Sequence, residues 1–256
     1  MKQSLRHLVV CAVVWSVGQG IALAQEVNTV KQLPDFASIK DTQQKKKAFF
    51  DFMRPIVQDE NAKVFADRKR MLSLREMVKK GELLSAEDTT WLASLSKKYR
   101  VEMKSPQDHA AWTVLTRRVD TIPMRLVLAQ GANESSWGTS RFAKQGFNMF
   151  GMWCFTEGCG VVPKKRSKGA THEVAVFPSV NASVAGYIVN INRNDSYQDL
   201  RNIRHDLRLQ GKQPTAEALS EGLLRYSERG VAYVKELQSM IRTNYNLMAG
   251  KSALKV

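Results

Sequence analysis

The most informative segment of the sequence is Ala129–Gly138, which reads AQGANESSWG. It continues a predicted helix with an apolar stripe. We place the start of this helix at Pro123, because proline favours the first position of a helix. Small residues such as Gly131 and Ala132 let neighbouring helices approach closely. We therefore expect this segment to pack against other helices.

Glu134 lies at about the last turn of that helix, close to Trp137. The negative end of the helix dipole and the apolar neighbour both disfavour an ionised carboxylate, so we expect the pKa of Glu134 to be raised. A general acid needs such a pKa if it is to remain protonated near neutral pH. The alternative reading is an ordinary exposed glutamate at a helix end.

Two further motifs follow in the chain. Asn148–Gly151 reads NMFG, and Tyr226–Lys235 reads YSERGVAYVK. Together with AQGANESSWG, and in this order, they resemble the catalytic motifs of the glucosaminidases of glycoside hydrolase family 73. The resemblance covers roughly residues 110–248, and similarity to one bacterial member extends over most of the chain.

The resemblance implies a mainly α (α+β) fold, a lysozyme-like helical domain with a small β-hairpin lobe and an additional N-terminal helical region. It implies an endo-β-N-acetylglucosaminidase that cleaves peptidoglycan between N-acetylglucosamine and N-acetylmuramic acid. Glu134 takes the place of the family's catalytic acid, and Asn148 and Phe150 form the turn that shapes the cleft floor. Tyr226 and Tyr233 take the places of the tyrosines beside the sugar.

The second catalytic group is not fixed by the sequence. Relatives often carry a glutamate in the β lobe, but the corresponding stretch here, residues 163–169, is basic. Glu173, in a predicted strand, and Glu157, in a loop, are the nearest candidates. Alternatively the 2-acetamido group of the substrate attacks the anomeric carbon itself, with Tyr226 orienting it. These routes remain open.

Aromatic residues near the motifs are candidates for sugar binding, since a flat apolar ring packs on the C–H face of a pyranose. Trp137 and Trp153 are adjacent to the first and second motifs, so we expect both to contact substrate. A buried tryptophan in the core is the alternative for each.

The N-terminus predicts export. Lys2 and Arg6 precede an apolar run of about ten residues and then Ala22–Ala24, the order of a cleaved signal peptide. We expect residues 1–24 to be this signal and 25–40 a linker, with a helical region over 41–105. A glucosaminidase domain over 106–250 then follows, with its β lobe at about 158–178. Export to an oxidising periplasm or envelope predicts a disulfide between Cys154 and Cys159.

Local signals place several boundaries. Pro55 is expected to break or restart the first helix, and Gly81 to end it. Ser85 is a predicted N-cap, and Ser105–Pro106 a second helix start. Residues 161–177 read as two short strands around the Lys168–Gly169 turn, and Ala216–Arg225 as a helix.

Other function classes are less well supported. The spacing of histidines and cysteines fits no metal site, and no phosphate-binding or serine-hydrolase motif is present, so we expect neither metal nor cofactor. A formal net charge of +15 favours anionic polymers. Export argues for peptidoglycan rather than nucleic acid, and we expect a monomer without stable membrane insertion. The rivals are a lytic transglycosylase and a non-catalytic wall-binding protein.

Overall fold

The computed structural model describes residues 29–164, 166 and 169–250. The predicted signal peptide and Lys168 of the predicted turn lie outside these residues. Within the described part of the chain, the fold is mainly helical with one small sheet, as expected. Among the same residues, none of the helices combines the length and the apolar character needed to cross a bilayer.

The helices follow one another along the chain, with the sheet inserted between the fifth and the sixth. They are α1 Thr42–Lys79, α2 Ala86–Lys98, α3 His109–Arg118, α4 Met124–Glu134, α5 Arg141–Gly146, α6 Val180–Arg193, α7 Gln198–Leu209, α8 Ala216–Ser220, α9 Val231–Thr243 and α10 Tyr245–Met248. The strands are β1 Trp153–Cys154, β2 Gly160–Val161 and β3 Glu173–Ala175.

The first helix is continuous through Pro55, so the predicted break there is wrong. Pro55 is exposed, and the chain on either side of it buries large apolar residues. A proline inside a helix costs about 3 kcal/mol, whereas each fully buried large apolar side chain contributes about 1.5–3 kcal/mol. Five such side chains flank it and outweigh the lost backbone bond: Phe49, Phe50, Met53, Ile56 and Val57.

Two apolar clusters divide the interior, and α1 belongs to both. Its first half packs with α4, α6, α9 and α10 in the main core, and its second half packs with α2 and α3 around Trp112 and Tyr99. Residues 41–105 therefore share the main core with the later helices through α1.

The segment 29–40 has little regular structure but packs on the core. Phe36 is buried against Phe49, and an added Cβ on Gly138 would lie only 2.6 Å from its ring. Gly138 also has a φ of +75°, a backbone region that favours glycine. The last residue of the AQGANESSWG motif is thus a glycine for two structural reasons.

Other boundaries are partly as predicted. Gly81, with a φ of +78°, follows the C-cap of α1, and the Ser85 side chain caps α2. The predicted start at Ser105–Pro106 is wrong: these residues form a turn, and α3 begins at His109. Asp108 caps that helix by accepting a 3.0 Å hydrogen bond from the Ala111 amide.

The predicted helix over Ala216–Arg225 is shorter than expected. α8 ends at Ser220, and a 3-10 turn, Glu221–Leu223, follows. Gly222 contacts the backbone at Leu200 so closely that an added Cβ would lie 2.2 Å from the Leu200 nitrogen. Contact with α7 therefore requires a glycine where the helix would otherwise have continued.

The β lobe contains the predicted hairpin, β2 and β3, and a third strand that the pattern did not indicate. The order is β1-β3-β2 with both pairings antiparallel, and Trp153 pairs with Val174. β1 has two residues, too few for an alternating pattern to show. Cys154 and Cys159 form the predicted disulfide, with their Cα atoms 6.2 Å apart.

Candidate active site

A groove of about 780 Å³ runs between the β lobe and the helices. Its walls come from the end of α4, the NMFG turn, the β lobe, one face of α6 and the Tyr226 segment. Glu134 is the one acidic residue among the described residues that line it. A smaller cavity of about 410 Å³, between α1 and residues 121–124, has no acidic lining residue in the described chain.

Glu134 is the last residue of α4, as predicted, and is half-buried. Its Oε1 accepts hydrogen bonds from the Tyr233 hydroxyl at 2.8 Å and from Asn133 Nδ2 at 3.3 Å. Burial raises the pKa of Glu134 above its usual value, although the two hydrogen bonds oppose this by stabilising the carboxylate. The direction agrees with the expectation, and burial is the main cause.

The other oxygen, Oε2, has no hydrogen-bond partner among the described residues. It faces Gly151, where an added Cβ would lie 3.8 Å away. Gly151 has a φ of +63° and lines the groove, so this position leaves the approach to Oε2 open. A proton on Glu134 therefore has its natural place on Oε2, towards the groove.

A buried chain of hydrogen bonds lies behind the carboxyl group. The Tyr187 hydroxyl donates to Gln130 Oε1, Gln130 Nε2 donates to the Tyr233 hydroxyl at 3.0 Å, and Tyr233 donates to Glu134. Burial raises the pKa of both tyrosines, so both remain protonated. Each tyrosine hydroxyl carries a single proton, and the Tyr233 oxygen already accepts from Gln130, which fixes Tyr233 as a donor to Glu134.

The floor of the groove is the NMFG turn, held by Asn148. Its Oδ1 accepts from the amides of Phe150 and Met152, and its Nδ2 donates to two carbonyls at 2.8 Å each. Phe150 stacks on Tyr187 with centroids 4.1 Å apart. Asn148 itself is buried, so its contacts support a turn-forming role.

The two tyrosines of the third motif occupy different places. Tyr226 lines the groove and donates its hydroxyl to the Phe150 carbonyl at 2.9 Å. Tyr233 is only 2% exposed and lies behind Glu134, stacked on Tyr226 with centroids 5.4 Å apart. A direct contact of Tyr233 with sugar, as the resemblance implied, is therefore less well supported than a contact with the acid.

The two candidate tryptophans also differ. Trp153 is 59% exposed, lines the groove and stacks on His172 with centroids 4.0 Å apart. Trp137 has a φ of +59°, and its ring packs edge-on against Phe49 and Phe50 of α1. It is not among the lining residues, so its contacts match the core alternative.

Glu173 is 6% exposed and points into the disulfide loop. Its two oxygens accept hydrogen bonds from the amides of Gly158 at 3.1 Å and Gly160 at 2.8 Å. It does not line the groove. Its catalytic role stays a prediction, while these contacts support a structural role.

Among the described residues, one close group of potential metal ligands is found, formed by Cys154, Cys159 and Glu173. Both sulfurs are in the disulfide and the carboxylate is engaged with two amides. Since a metal-binding cysteine is a thiolate, this cluster offers no thiolate ligand.

Several groove residues were not found from the sequence. Gly186, Asn190 and Arg193 line it from one face of α6, at the i, i+4, i+7 spacing that a helix requires. That spacing indicates that the three residues share one helix face. No sequence pattern indicates that Arg100, in the loop after α2, lines the groove. Likewise, none indicates that Tyr187 belongs to the buried hydrogen-bond chain.

Comparison with known proteins identifies the family of this chain. The sequence profile of the Glucosaminidase family, described as mannosyl-glycoprotein endo-beta-N-acetylglucosaminidase, matches residues 109–246, and the chain belongs to this family. It is also similar to the protein bax of Escherichia coli (strain K12), with 33% identity over 217 residues. That alignment covers 85% of this chain and 76% of its relative. No solved structure matches.

Proposed function

We propose that this protein is an endo-β-N-acetylglucosaminidase that hydrolyses the β-1,4 bond after N-acetylglucosamine in peptidoglycan. The observation that carries the proposal is the environment of Glu134. One oxygen is held by Tyr233 and Asn133, and the other faces the groove beside Gly151. A half-buried carboxyl group with a raised pKa and an accessible oxygen meets the requirements of a general acid.

In the first step, Glu134 Oε2 donates its proton to the oxygen that bridges the two sugars, and the bond from this oxygen to the anomeric carbon breaks. The positive charge that develops on the anomeric carbon needs a partner. Because Glu134 is the one acid among the described lining residues, the groove supports attack by the substrate's own acetamido oxygen. This gives a cyclic oxazolinium intermediate, whose nitrogen keeps its proton.

In the second step, Glu134 acts as the base. It accepts a proton from water, whose oxygen attacks the anomeric carbon and breaks its bond to the oxazolinium oxygen, which restores the neutral acetamido group. Tyr226 supports this route by position. Its proton is engaged with the Phe150 carbonyl, so its hydroxyl oxygen can accept a hydrogen bond from the acetamido N–H. Burial raises the pKa of Tyr226, which keeps the hydroxyl neutral.

Peptidoglycan is proposed as the substrate because of charge and predicted location. The chain has a net charge of +15, and peptidoglycan carries carboxylates on its peptides and muramic lactyl groups. The predicted signal peptide places the mature protein where this polymer is found. The exposed aromatic rings of Trp153 and Phe155 at the β lobe supply apolar surface for sugar faces.

A lytic transglycosylase is the second candidate, because a single acid in the groove also suits that reaction. There the muramic O6, rather than water, closes on the anomeric carbon, and the product is an anhydro sugar. The two reactions also cut on opposite sides of muramic acid.

The test is digestion of purified peptidoglycan by the mature chain, followed by mass spectrometry of borohydride-reduced fragments. The proposal predicts new reducing ends on N-acetylglucosamine. Anhydromuramic ends would establish the transglycosylase, and muramic reducing ends would show cleavage at the other glycosidic bond. Release of no fragments, with retained binding to the polymer, would favour the non-catalytic wall-binding protein.

A further inference from the structure

One end of the groove carries two arginines that come from different parts of the chain. Arg193 is the last residue of α6, and Arg100 lies in the loop after α2. The end of α2, just before this loop, docks on α6 through a 3.1 Å hydrogen bond from Arg193 Nη1 to the Lys98 carbonyl. Arg100 is fixed through its own carbonyl, which accepts a 2.8 Å hydrogen bond from Arg118.

Neither guanidinium has an acidic partner in the described chain. The nearby acids are engaged elsewhere, Asp195 with Arg118 and Asp67 with Lys98, each at 3.2 Å. Burial lowers the pKa of Arg193, and the positive charge of Arg100 lowers it further. Two cations that repel each other across a groove leave a position where an anion is favoured.

A role in helix stability explains only part of this arrangement. A cation at the C-terminus of α6 interacts favourably with the helix dipole, which accounts for Arg193. It does not account for Arg100, which is exposed, has a φ of +54° and directs a second charge to the same groove. Left-handed backbone is unfavourable for a residue with a Cβ, so the loop holds Arg100 there at a cost.

The pair lies at a defined distance from the β lobe. Gly186 of α6 packs against Phe177 and Met152 of the lobe, and Arg193 is seven residues further on the same face. At 1.5 Å per residue the two positions are about 10 Å apart along the helix axis. The groove therefore extends from the aromatic lobe, along α6, to the basic end.

We propose that Arg100 and Arg193 form a subsite for a carboxylate carried by the muramic acid residue of the glycan. The inference rests on the proposed function, because it takes a glycan as the ligand. Two sources offer this chemistry, the stem peptide and, where the peptide has been removed, the free lactyl group. Arg100 precedes residues 109–246, so the N-terminal helical region supplies a specificity residue from outside the matched family segment.

The test measures binding in a Glu134→Gln background, so that it does not depend on turnover. Three soluble ligands are compared by calorimetry at low ionic strength. They are a peptide-bearing glycan fragment, the same fragment after amidase treatment, and an N-acetylglucosamine oligomer with no carboxylate. Arg100→Gln is the main variant, since its side chain is exposed, and Arg193→Gln is the second.

Arg100→Gln is expected to weaken binding of at least one carboxylate-bearing ligand about tenfold, as for the loss of one charge-assisted hydrogen bond. Binding of the uncharged oligomer stays unchanged. The ligand that loses affinity identifies the source as the stem peptide or the lactyl group. Arg242→Gln, an exposed change of the same charge on α9, is the matched control.

Equal losses on all three ligands, losses equal to those of Arg242→Gln, or no loss at all would each overturn the subsite. The outcome is separable from the proposed function. A charge-selective loss of binding, combined with a wild-type protein that releases no fragments from peptidoglycan, would retain the subsite and reject the hydrolase.

Discussion

At the scale of single residues, the state of Glu134 depends on Tyr233. The tyrosine hydroxyl is held as a donor by Gln130 and stabilises the carboxylate form, while burial favours the protonated form. These opposed effects set the pH range in which Glu134 carries the proton that the reaction needs. Removing one atom, the Tyr233 hydroxyl oxygen, changes the balance between these two effects on the pKa of Glu134.

Tyr233→Phe removes that donor. The pKa of Glu134 is then expected to rise further, so the alkaline limb of kcat/KM moves to higher pH by about one unit, since a unit corresponds to about 1.4 kcal/mol. The maximal rate is expected to fall about tenfold, because Oε1 is less well held and a proton on Glu134 is given up less readily. A pH–rate profile measures both.

Tyr245→Phe is the control, since Tyr245 is exposed on α10 and does not line the groove. An alkaline limb that stays in place, or moves to lower pH, in Tyr233→Phe would contradict the role assigned to the hydrogen bond.

The sequence makes Glu173 a candidate catalytic carboxylate, whereas its contacts support a structural role in the disulfide loop. Glu173→Gln leaves one of the Gly158 and Gly160 amides without its acceptor, which costs about 1–3 kcal/mol. We expect a lower unfolding temperature by calorimetry and a kcat within a few-fold of the wild-type value. Glu82→Gln, an exposed change of the same kind in the loop after α1, is the matched control.

A fall in kcat of a hundredfold or more in Glu173→Gln, with an unchanged unfolding temperature, would instead establish Glu173 as a catalytic carboxylate. The unfolding temperature measured together with kcat therefore distinguishes a structural role of Glu173 from a catalytic one.

At the scale of elements, α1 shows how tertiary packing overrides a local signal. The local sequence predicts a break at Pro55 because proline disfavours the interior of a helix. The burial of the residues around Pro55, which keeps the helix continuous, depends on the whole fold and is not visible in the local sequence. The folded protein still lacks the backbone hydrogen bond that Pro55 cannot donate, and a substitution at Pro55 measures the free-energy cost of that loss.

Pro55→Ala restores a backbone donor on the exposed face of α1. We expect it to raise the free energy of unfolding by about 1–2 kcal/mol, less than the full 3 kcal/mol, because proline also restricts the unfolded chain. Denaturant titration measures the change, and activity is expected to be unchanged. A destabilised variant would show that the helix requires the proline.

α6 and the β lobe show what a pattern can and cannot supply. The helical spacing of Gly186, Asn190 and Arg193 was readable, but nothing in the sequence indicated which face of α6 borders a groove. The two-residue strand β1 is too short to have a period. Strand pairing with residues about 20 positions away made it visible.

At the scale of the whole molecule, candidate residues in or beside the three motifs come together at one groove. Glu134, Phe150, Trp153 and Tyr226 all line it. The sequence could not supply the buried chain, because Tyr187 and Gln130 are 57 residues apart and each is a single polar residue among apolar ones. It also could not place Arg100, which is held at the groove by long-range contacts of its segment with Arg193 and Arg118.

The most direct measurement is the release of soluble fragments from purified peptidoglycan by wild-type protein and by Glu134→Gln, with binding and thermal unfolding followed in parallel. The substitution is expected to lower the rate by about a hundredfold or more. Binding to the polymer should remain. Because burial raises the pKa of Glu134, ionisation costs the folded state stability as pH rises through that pKa.

The amide has no such cost, so the unfolding temperature of Glu134→Gln near neutral pH should equal or exceed that of the wild type. The difference should disappear below the usual pKa of a glutamate. Glu82→Gln, an exposed change of the same kind in the loop after α1, should digest peptidoglycan at the wild-type rate. A folded, wall-binding and inactive Glu134→Gln protein is the expected result; fragment release by that protein at the wild-type rate would show that Glu134 is not the general acid.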